Sequence, residues 1–105
     1  MTKKLHYMPY ANARVEISKK GLIELISYTT TVATIDPFGF LTIYGLYSMT
    51  TRKHISAFVK EYANTSYQTA RQIYEDNLVY NIHTGEVIPI EKYEKIINEY
   101  CEGAI

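Results

Sequence analysis

The stretch from residue 48 to residue 62 constrains the fold most, because its apolar side chains repeat with the period of an α-helix. Four of them fall at positions i, i+3, i+4 and i+7, on one side of such a helix: Ile55, Phe58, Val59 and Tyr62. We expect the polar side chains between them to face water. We also expect Thr50 or Thr51 to cap the helix start, since a hydroxyl there can accept from a free amide of the first turn. The rest of the chain then forms the surface on which this helix packs.

Three β-strands are predicted ahead of the helix. Ala13–Ser18 alternates apolar and polar residues, which is typical of a half-buried strand. Leu22–Ile35 is a long run of β-favouring residues, so we expect a bend or bulge near Ser27. Asp36–Gly39 fits a type I turn, with Pro second and Gly last, and Phe40–Tyr47 follows as the returning strand. The three strands should form an antiparallel meander.

The C-terminal half is predicted to contain two more helices and a short hairpin. Ser66–Glu75 has a narrow apolar stripe, and Thr65 or Ser66 can cap it. Leu78–Ile82 and Glu86–Ile90 flank His83-Thr84-Gly85, as in a hairpin, although an ordered loop is the alternative. Glu91–Cys101 forms the last helix, and we expect these side chains to face inward: Ile90, Tyr93, Ile96, Ile97 and Tyr100.

Strands followed by helices indicate an α+β domain. We predict a single domain over residues 1–105, with an irregular arm at residues 1–12. Two or three helices should cover one face of the meander, and the other face should be wet.

The composition argues against several functions. Lys plus Arg equals Asp plus Glu at 11 each, whereas a general duplex-DNA binder needs a surplus of basic residues. The three histidines have no metal-ligand spacing, no glycine-rich phosphate loop is present, and Cys101 is the single cysteine, beside an apolar stripe. We therefore expect no catalytic activity, no metal and no cofactor. Without a signal-peptide or membrane-spanning segment, we expect a cytoplasmic protein that does not contact a membrane.

A basic cluster at the start of the first helix is the most suggestive polar feature. It comprises Arg52, Lys53 and His54, with Lys60 two turns further on. Partial positive charge at a helix start favours anions, so a phosphate, an RNA backbone or an acidic protein surface could dock there. The alternative is an ordinary solvated helix face.

A second candidate surface consists of Tyr28, Tyr44 and Tyr47 around the central hairpin. Tyrosine is enriched at protein interfaces, because it joins an apolar ring to a polar tip. The alternative is ordinary cross-strand packing on the sheet.

Several segments resemble a family of small uncharacterised proteins carried by phages, plasmids and integrated elements of low-GC Gram-positive bacteria. The matching segments are Ser27–Ala33, Gly45–Ser48, Thr51–Ile55, Ala57-Phe58, Glu61-Tyr62 and Tyr80–Val87. The resemblance implies an accessory role in a mobile element and assigns no catalytic residue. The size and context also resemble those of the type II-A anti-CRISPR proteins, which inhibit an RNA-guided nuclease by binding it.

Two main hypotheses follow. In the first, the chain is a non-enzymatic inhibitor that occludes a host defence nuclease, a type II CRISPR effector with or without its guide RNA. In the second, it is a nucleic-acid-binding accessory protein of a phage or plasmid, with Arg52, Lys53 and Lys60 on phosphate and tyrosines stacked on bases. A third option is a structural subunit in which the wet sheet face joins two copies as a homodimer.

Overall fold

The computed structural model describes residues 2–3 and 12–103, which form an α+β fold of one antiparallel sheet and three helices. The strands lie in the sheet in chain order: β1 (Thr2–Lys3), β2 (Ala13–Ile17), β3 (Ile23–Ser27), β4 (Thr30–Ile35), β5 (Phe40–Ile43), β6 (Leu78–Asn81) and β7 (Val87–Pro89). The helices are α1 (Met49–Tyr62), α2 (Tyr67–Glu75) and α3 (Ile90–Gly103). The predicted α+β class is confirmed, but the predicted three-stranded meander is only the middle of a larger sheet.

The long strand predicted for Leu22–Ile35 is wrong, because the chain reverses at Tyr28 and Thr29 to make β3 and β4. Tyr28 has a φ of 59°, in the left-handed region that side chains other than glycine rarely adopt. Its amide donates to the carbonyl of Asn12 at 2.7 Å, which holds the turn against the chain before β2. The bend expected near Ser27 is therefore a complete hairpin.

The strand predicted for Phe40–Tyr47 is too long, since β5 ends at Ile43. The arm predicted to be irregular over residues 1–12 also contributes a strand, because Thr2 and Lys3 pair with Glu16 and Val15. Residue 1 and residues 4–11 of this arm lie outside the described residues.

One face of the sheet carries the core. Strand residues two apart share a face, and the registers of β2 to β5 place Val15, Leu25, Ala33 and Leu41 on the same one. Helices α1 and α2 cover this face with fully buried side chains, which include Ile55, Phe58, Ala70 and Ile73. The stripe predicted for residues 55–62 is confirmed as the core-facing side of α1, with Tyr62 half-buried at its end.

Helix α3 lies on the opposite face, so the prediction that all helices cover one face is wrong. Its Tyr93 ring contacts the ring of Phe40, whose neighbour Leu41 points into the core. Pro89 ends β7 and α3 begins at Ile90, so the chain passes from the sheet edge to this second face without a linker. The predicted inward position of Ile96 is also wrong, because 40% of this residue is exposed. The side chains of Tyr100 and Cys101 lie outside the described residues.

The predicted turns around β5 and β6 hold the sheet together. The amide of Gly39 donates to the carbonyl of Asp36 at 2.9 Å, as expected for the Asp36–Gly39 turn. The C-terminal hairpin is confirmed as β6 and β7, with Gly85 in the left-handed region at a φ of 77°. Its connection is longer than predicted, since it spans residues 82–86. Within the described ranges, no helix has the length and apolar character needed to cross a membrane.

Candidate functional site

Helix α1 begins at a serine rather than at the predicted Thr50 or Thr51. Ser48 is the N-cap, and its Oγ accepts from the amide of Thr51 at 3.1 Å. Its extended backbone, with φ −141° and ψ 169°, is the usual geometry for this position. The prediction was wrong because Thr51 already lies inside the first turn and its side chain is buried.

A buried chain of hydrogen bonds fastens the start of α1 to the end of β3. The hydroxyl of Thr51 lies 3.2 Å from that of Ser27, and the Ser27 Oγ lies 2.8 Å from Nδ1 of His54. The Ser48 hydroxyl donates to Thr51 Oγ1 at 3.1 Å and extends the chain to the cap. Hydrogen bonds between buried polar groups hold their side chains in one geometry. The first two turns of α1 are therefore a rigid platform.

His54 is the last member of this chain of hydrogen bonds and is fully buried. Burial lowers the pKa of its imidazole, because the charged form would lose its hydration. The ring also faces Tyr28, with the two ring centroids 6.0 Å apart and the planes tilted by 46°. This contact places the tyrosine of the β3–β4 turn beside the start of α1.

Five exposed side chains surround this platform: Tyr28, Tyr47, Met49, Arg52 and Lys53. We call them the α1-start surface. The three apolar members are 50%, 67% and 74% exposed in that order, although residues of this size are usually covered. Arg52 folds back over the loop before the helix, where its Nε donates to the carbonyl of Leu46 at 3.4 Å.

Gly45 allows Tyr47 to lie close to this loop. A Cβ at position 45 would lie 2.2 Å from Cζ of the Tyr47 ring, a distance that no real contact has. The absence of a side chain at Gly45 thus lets the tyrosine ring lie flat over the backbone, with much of the ring still open to solvent.

The structure brings together four of the six side chains predicted to bind a partner and places the other two elsewhere. Tyr28, Tyr47, Arg52 and Lys53 lie at the start of α1. Lys60 is exposed in the last turn of the helix, about 10 Å further along its axis than Lys53. Tyr44 is 51% exposed, and its hydroxyl lies 3.1 Å from Thr34 Oγ1, on the sheet face that carries α3.

Two features of this site escaped the sequence analysis. Met49 was not among the residues predicted to bind a partner, but it is the most exposed member of the surface. The second feature could have been found: no Asp or Glu occurs between residue 37 and residue 60, although the whole chain is neutral. The cations of the α1-start surface therefore have no acidic neighbour along the chain.

The chemical groups at this site are a buried hydroxyl–imidazole pair and exposed apolar and cationic side chains. Ser27 and His54 form a hydroxyl–imidazole pair, but both side chains are buried, so the pair is placed to stabilise the fold. In the portion of the chain that the structure describes, no group of three or more His, Cys, Asp or Glu could hold a metal ion. What the surface can offer is shape, exposed apolar area and positive charge.

Comparison with known proteins gives a family but no function. No curated protein and no solved structure matches this chain. Residues 3–76 of the 105 match a family described as a family of unknown function, DUF8033, and this match contains the whole α1-start surface. Strands β6 and β7 and helix α3 follow the matched segment. The chain belongs to the DUF8033 family.

Proposed function

We propose that this protein is a non-enzymatic binding protein that occludes an acidic patch on a larger protein through its α1-start surface. The observation that carries the proposal is the exposure of Tyr28, Tyr47 and Met49 beside Arg52 and Lys53, on a platform fixed by buried hydrogen bonds. Tyr, Met and Arg are among the residues that are enriched where proteins bind one another.

The platform matters because binding is weakened by any ordering of the surface at the moment of contact. Tyr28 is held by the turn hydrogen bond to Asn12 and by its ring contact with His54. Arg52 is directed by its hydrogen bond to the carbonyl of Leu46. These side chains start close to one arrangement, so less conformational entropy is lost when a partner covers them.

For the partner we propose a host defence nuclease, specifically a type II CRISPR effector, which would make the protein an anti-CRISPR inhibitor. Support comes from the resemblance of Ser27–Ala33, Thr51–Ile55 and Tyr80–Val87 to proteins of phages, plasmids and integrated elements. Inhibition by occlusion needs a recognition surface and no chemistry, and the α1-start surface supplies the former. The site of action would be the bacterial cytoplasm.

A plasmid-interference assay tests this function. Cells carrying the nuclease, a guide and a targeted plasmid are transformed with and without an excess of the protein. We expect the protein to restore transformation, and R52E/K53E to abolish the effect. K19E/K20E is the matched control, because it reverses two exposed lysines of the turn between β2 and β3 and should still inhibit. Full interference in the presence of the folded wild-type protein would overturn the proposal.

A nucleic-acid-binding role is the second candidate, since cations flanked by tyrosines can contact phosphate and stack on bases. Salt dependence separates the two candidates, because the affinity for nucleic acid falls steeply as phosphate counterions compete. Fluorescence anisotropy with single-stranded RNA and duplex DNA, at low and high salt, measures it. Binding that weakens steeply with salt and is lost in R52E/K53E would favour this role over protein occlusion.

A further inference from the structure

The sheet face opposite the core is only partly covered. Registers across β2 to β5 align Glu16, Glu24, Thr34 and Thr42 in one row on this face. Helix α3 packs on the β6–β7 side, where it contacts those two strands and Phe40, and beyond them its Tyr93 reaches Asp36 at the end of β4. The surface over β3 and β4 is therefore open, and its middle is polar.

Two adjoining hollows lie on this open face and share the rings of Tyr44 and Tyr93. One has a volume of about 370 Å³ and includes Glu24 and Asp36, and the other has about 280 Å³ and includes Glu94. In the part of the chain that the structure describes, no Lys or Arg lines either hollow. We call the two together the acidic groove.

The wall of the groove is fixed. Tyr93 Oη donates to Asp36 Oδ2 at 2.5 Å, and the other carboxylate oxygen accepts from the amides of Phe38 and Phe40, each at 2.9 Å. Burial, with this hydrogen bond, raises the pKa of Tyr93 above its usual value, so the phenol stays protonated. Three hydrogen bonds therefore hold the Asp36 carboxylate in one position at this wall.

Glu24 carries uncompensated charge in the middle of the groove. Thr31 donates to its Oε2 at 3.3 Å, but no described Lys or Arg forms an ion pair with it. Arg14 of β2 forms an ion pair with Glu16 instead, and Glu16 lies directly opposite Glu24. Like charges that face each other across two strands repel, so a cation from another molecule would stabilise the carboxylates at this position.

We propose that a second copy of this chain supplies that cation: the α1-start surface of one copy docks into the acidic groove of the next. The two surfaces match in charge, since Arg52 and Lys53 have no acidic neighbour in residues 37–60 and the groove has no described basic residue in its lining. They also match in form, because Tyr47 and Met49 are the most exposed large apolar side chains among the described residues and the groove is concave.

One chain cannot make this contact with itself. Helix α1 lies on the core face near Ser27, at the β3–β4 turn, whereas the groove opens on the opposite face towards Leu22 and Asp36, at the other end of these strands. The contact joins two different patches, so it is heterologous and leaves a free patch on each outer copy. Head-to-tail chains or closed rings follow, rather than the homodimer through the wet sheet face that was the third option from the sequence.

Light scattering on the full chain, at about 0.01 M and about 1 M salt, tests the proposal, because salt screens contacts between exposed charges. We expect the wild-type mass at low salt to rise with concentration to at least twice that of the monomer, and to return to the monomer at high salt. Two variants block one patch each: E24K/E94K in the groove and R52E/K53E in the α1-start surface. Each should be monomeric alone, because its two patches then carry charge of the same sign, while an equimolar mixture should associate, because patches of opposite sign are again present.

A wild-type protein that stays monomeric at low salt would overturn the proposal, and so would a mixture of the two variants that does not associate. Self-association that persists in both variants would assign the contact to another surface. A monomeric wild type that binds an arginine-rich peptide through Glu24 and Glu94 would assign the groove to a basic partner instead. Circular dichroism shows whether each variant is folded. K19E/K20E is the charge control, because it reverses two charges outside both patches and should still associate.

Self-association and nuclease inhibition can be tested separately. E24K/E94K leaves the α1-start surface intact, so it should lose self-association and still inhibit in the interference assay. An inactive E24K/E94K monomer that is folded would tie the two together, and a wild type that associates without inhibiting would remove only the proposed function.

Discussion

Helices α1 and α3 have equally long stretches of sequence and similar apolar stripes, but they dock very differently. Six of the α1 residues are buried, whereas among residues 90–99 of α3 none is fully buried. The reason lies in the sheet beneath them. The face under α1 is an almost continuous apolar surface, while the opposite face offers mainly Phe40, Val79 and Ile88 at one side. An amphipathic stripe thus tells which side of a helix is apolar, and the sheet decides how much of it is covered.

The largest expected effect is a cavity under α1. Phe58→Ala removes a fully buried ring from the core and should lower the free energy of unfolding by about 3–5 kcal/mol, most of the stability of a domain this small. Ile96→Ala in α3 is the matched control and should cost less than about 1 kcal/mol, because Ile96 is largely solvated. Urea unfolding measures the free energy of unfolding of both variants. Similar losses in the two would contradict the difference in docking between α1 and α3.

A smaller effect is expected where α3 is fastened to the sheet. Tyr93→Phe keeps the ring contact with Phe40 and removes the hydrogen bond to the Asp36 carboxylate, which should cost about 1–2 kcal/mol. This bond fastens α3 to the sheet and does not involve α1. Amide hydrogen exchange should therefore become faster in residues 90–99 and stay unchanged in α1. Equal quickening in both helices would mean that α3 is part of the same cooperative unit as the core.

The pH dependence of stability should come from α1. The folded pKa of His54 lies below its ordinary value near 6.5, so the unfolded chain binds a proton more readily than the folded one. The stability associated with the neutral His54 is fully present above about pH 7. It is lost as the pH falls through 6.5 towards the folded pKa, and the free energy of unfolding then decreases by at most about 1.4 kcal/mol per pH unit.

Urea midpoints of His54→Gln and of His83→Gln, measured from pH 7.5 to about pH 5, check this assignment. The first variant should flatten the profile. The second is the matched control, because His83 is exposed, and it should leave the profile as in the wild type. A profile that stays steep in His54→Gln would move the titration to another group.

The smallest effect should be at the α1-start surface itself. Arg52→Ala and Lys53→Ala remove exposed charges and should each change the free energy of unfolding by less than about 0.5 kcal/mol. Both should still weaken partner binding or self-association. A large loss of stability would make these cations part of the fold rather than of a recognition surface.

Local patterns predicted the elements whose residues interact within a few positions. The stripe at residues 55–62 gave α1, Ser66 capped α2 by accepting from the amide of Thr69, and Asp36-Pro37-Phe38-Gly39 gave the turn before β5. The same patterns missed the cap at Ser48, because the choice among three nearby hydroxyls depended on Ser27, far away in the chain.

The α1-start surface was predictable residue by residue but not as an assembly. Residue type alone predicted six side chains as partner-binding: Arg52, Lys53, Tyr28, Tyr47, Tyr44 and Lys60. It could not separate the first four, which lie at the start of α1, from the last two. The difference is that Tyr28 sits in a left-handed turn against His54, while Tyr44 bonds to Thr34 on the opposite face. No periodicity signals a left-handed tyrosine, since its conformation is imposed by the hydrogen bond to Asn12.

The amino-acid sequence by itself determined the class of the fold, the helical stripe of α1, the turns, and the supply of exposed cations and tyrosines. These depend on side-chain periodicity and backbone preference over short distances. Only the tertiary structure decided that Leu22–Ile35 folds into two strands, that α3 takes the second face, and that cations and tyrosines meet at one end while carboxylates gather on the other face. Those outcomes depend on contacts between residues far apart in the chain, where burial and hydrogen bonding override local preference.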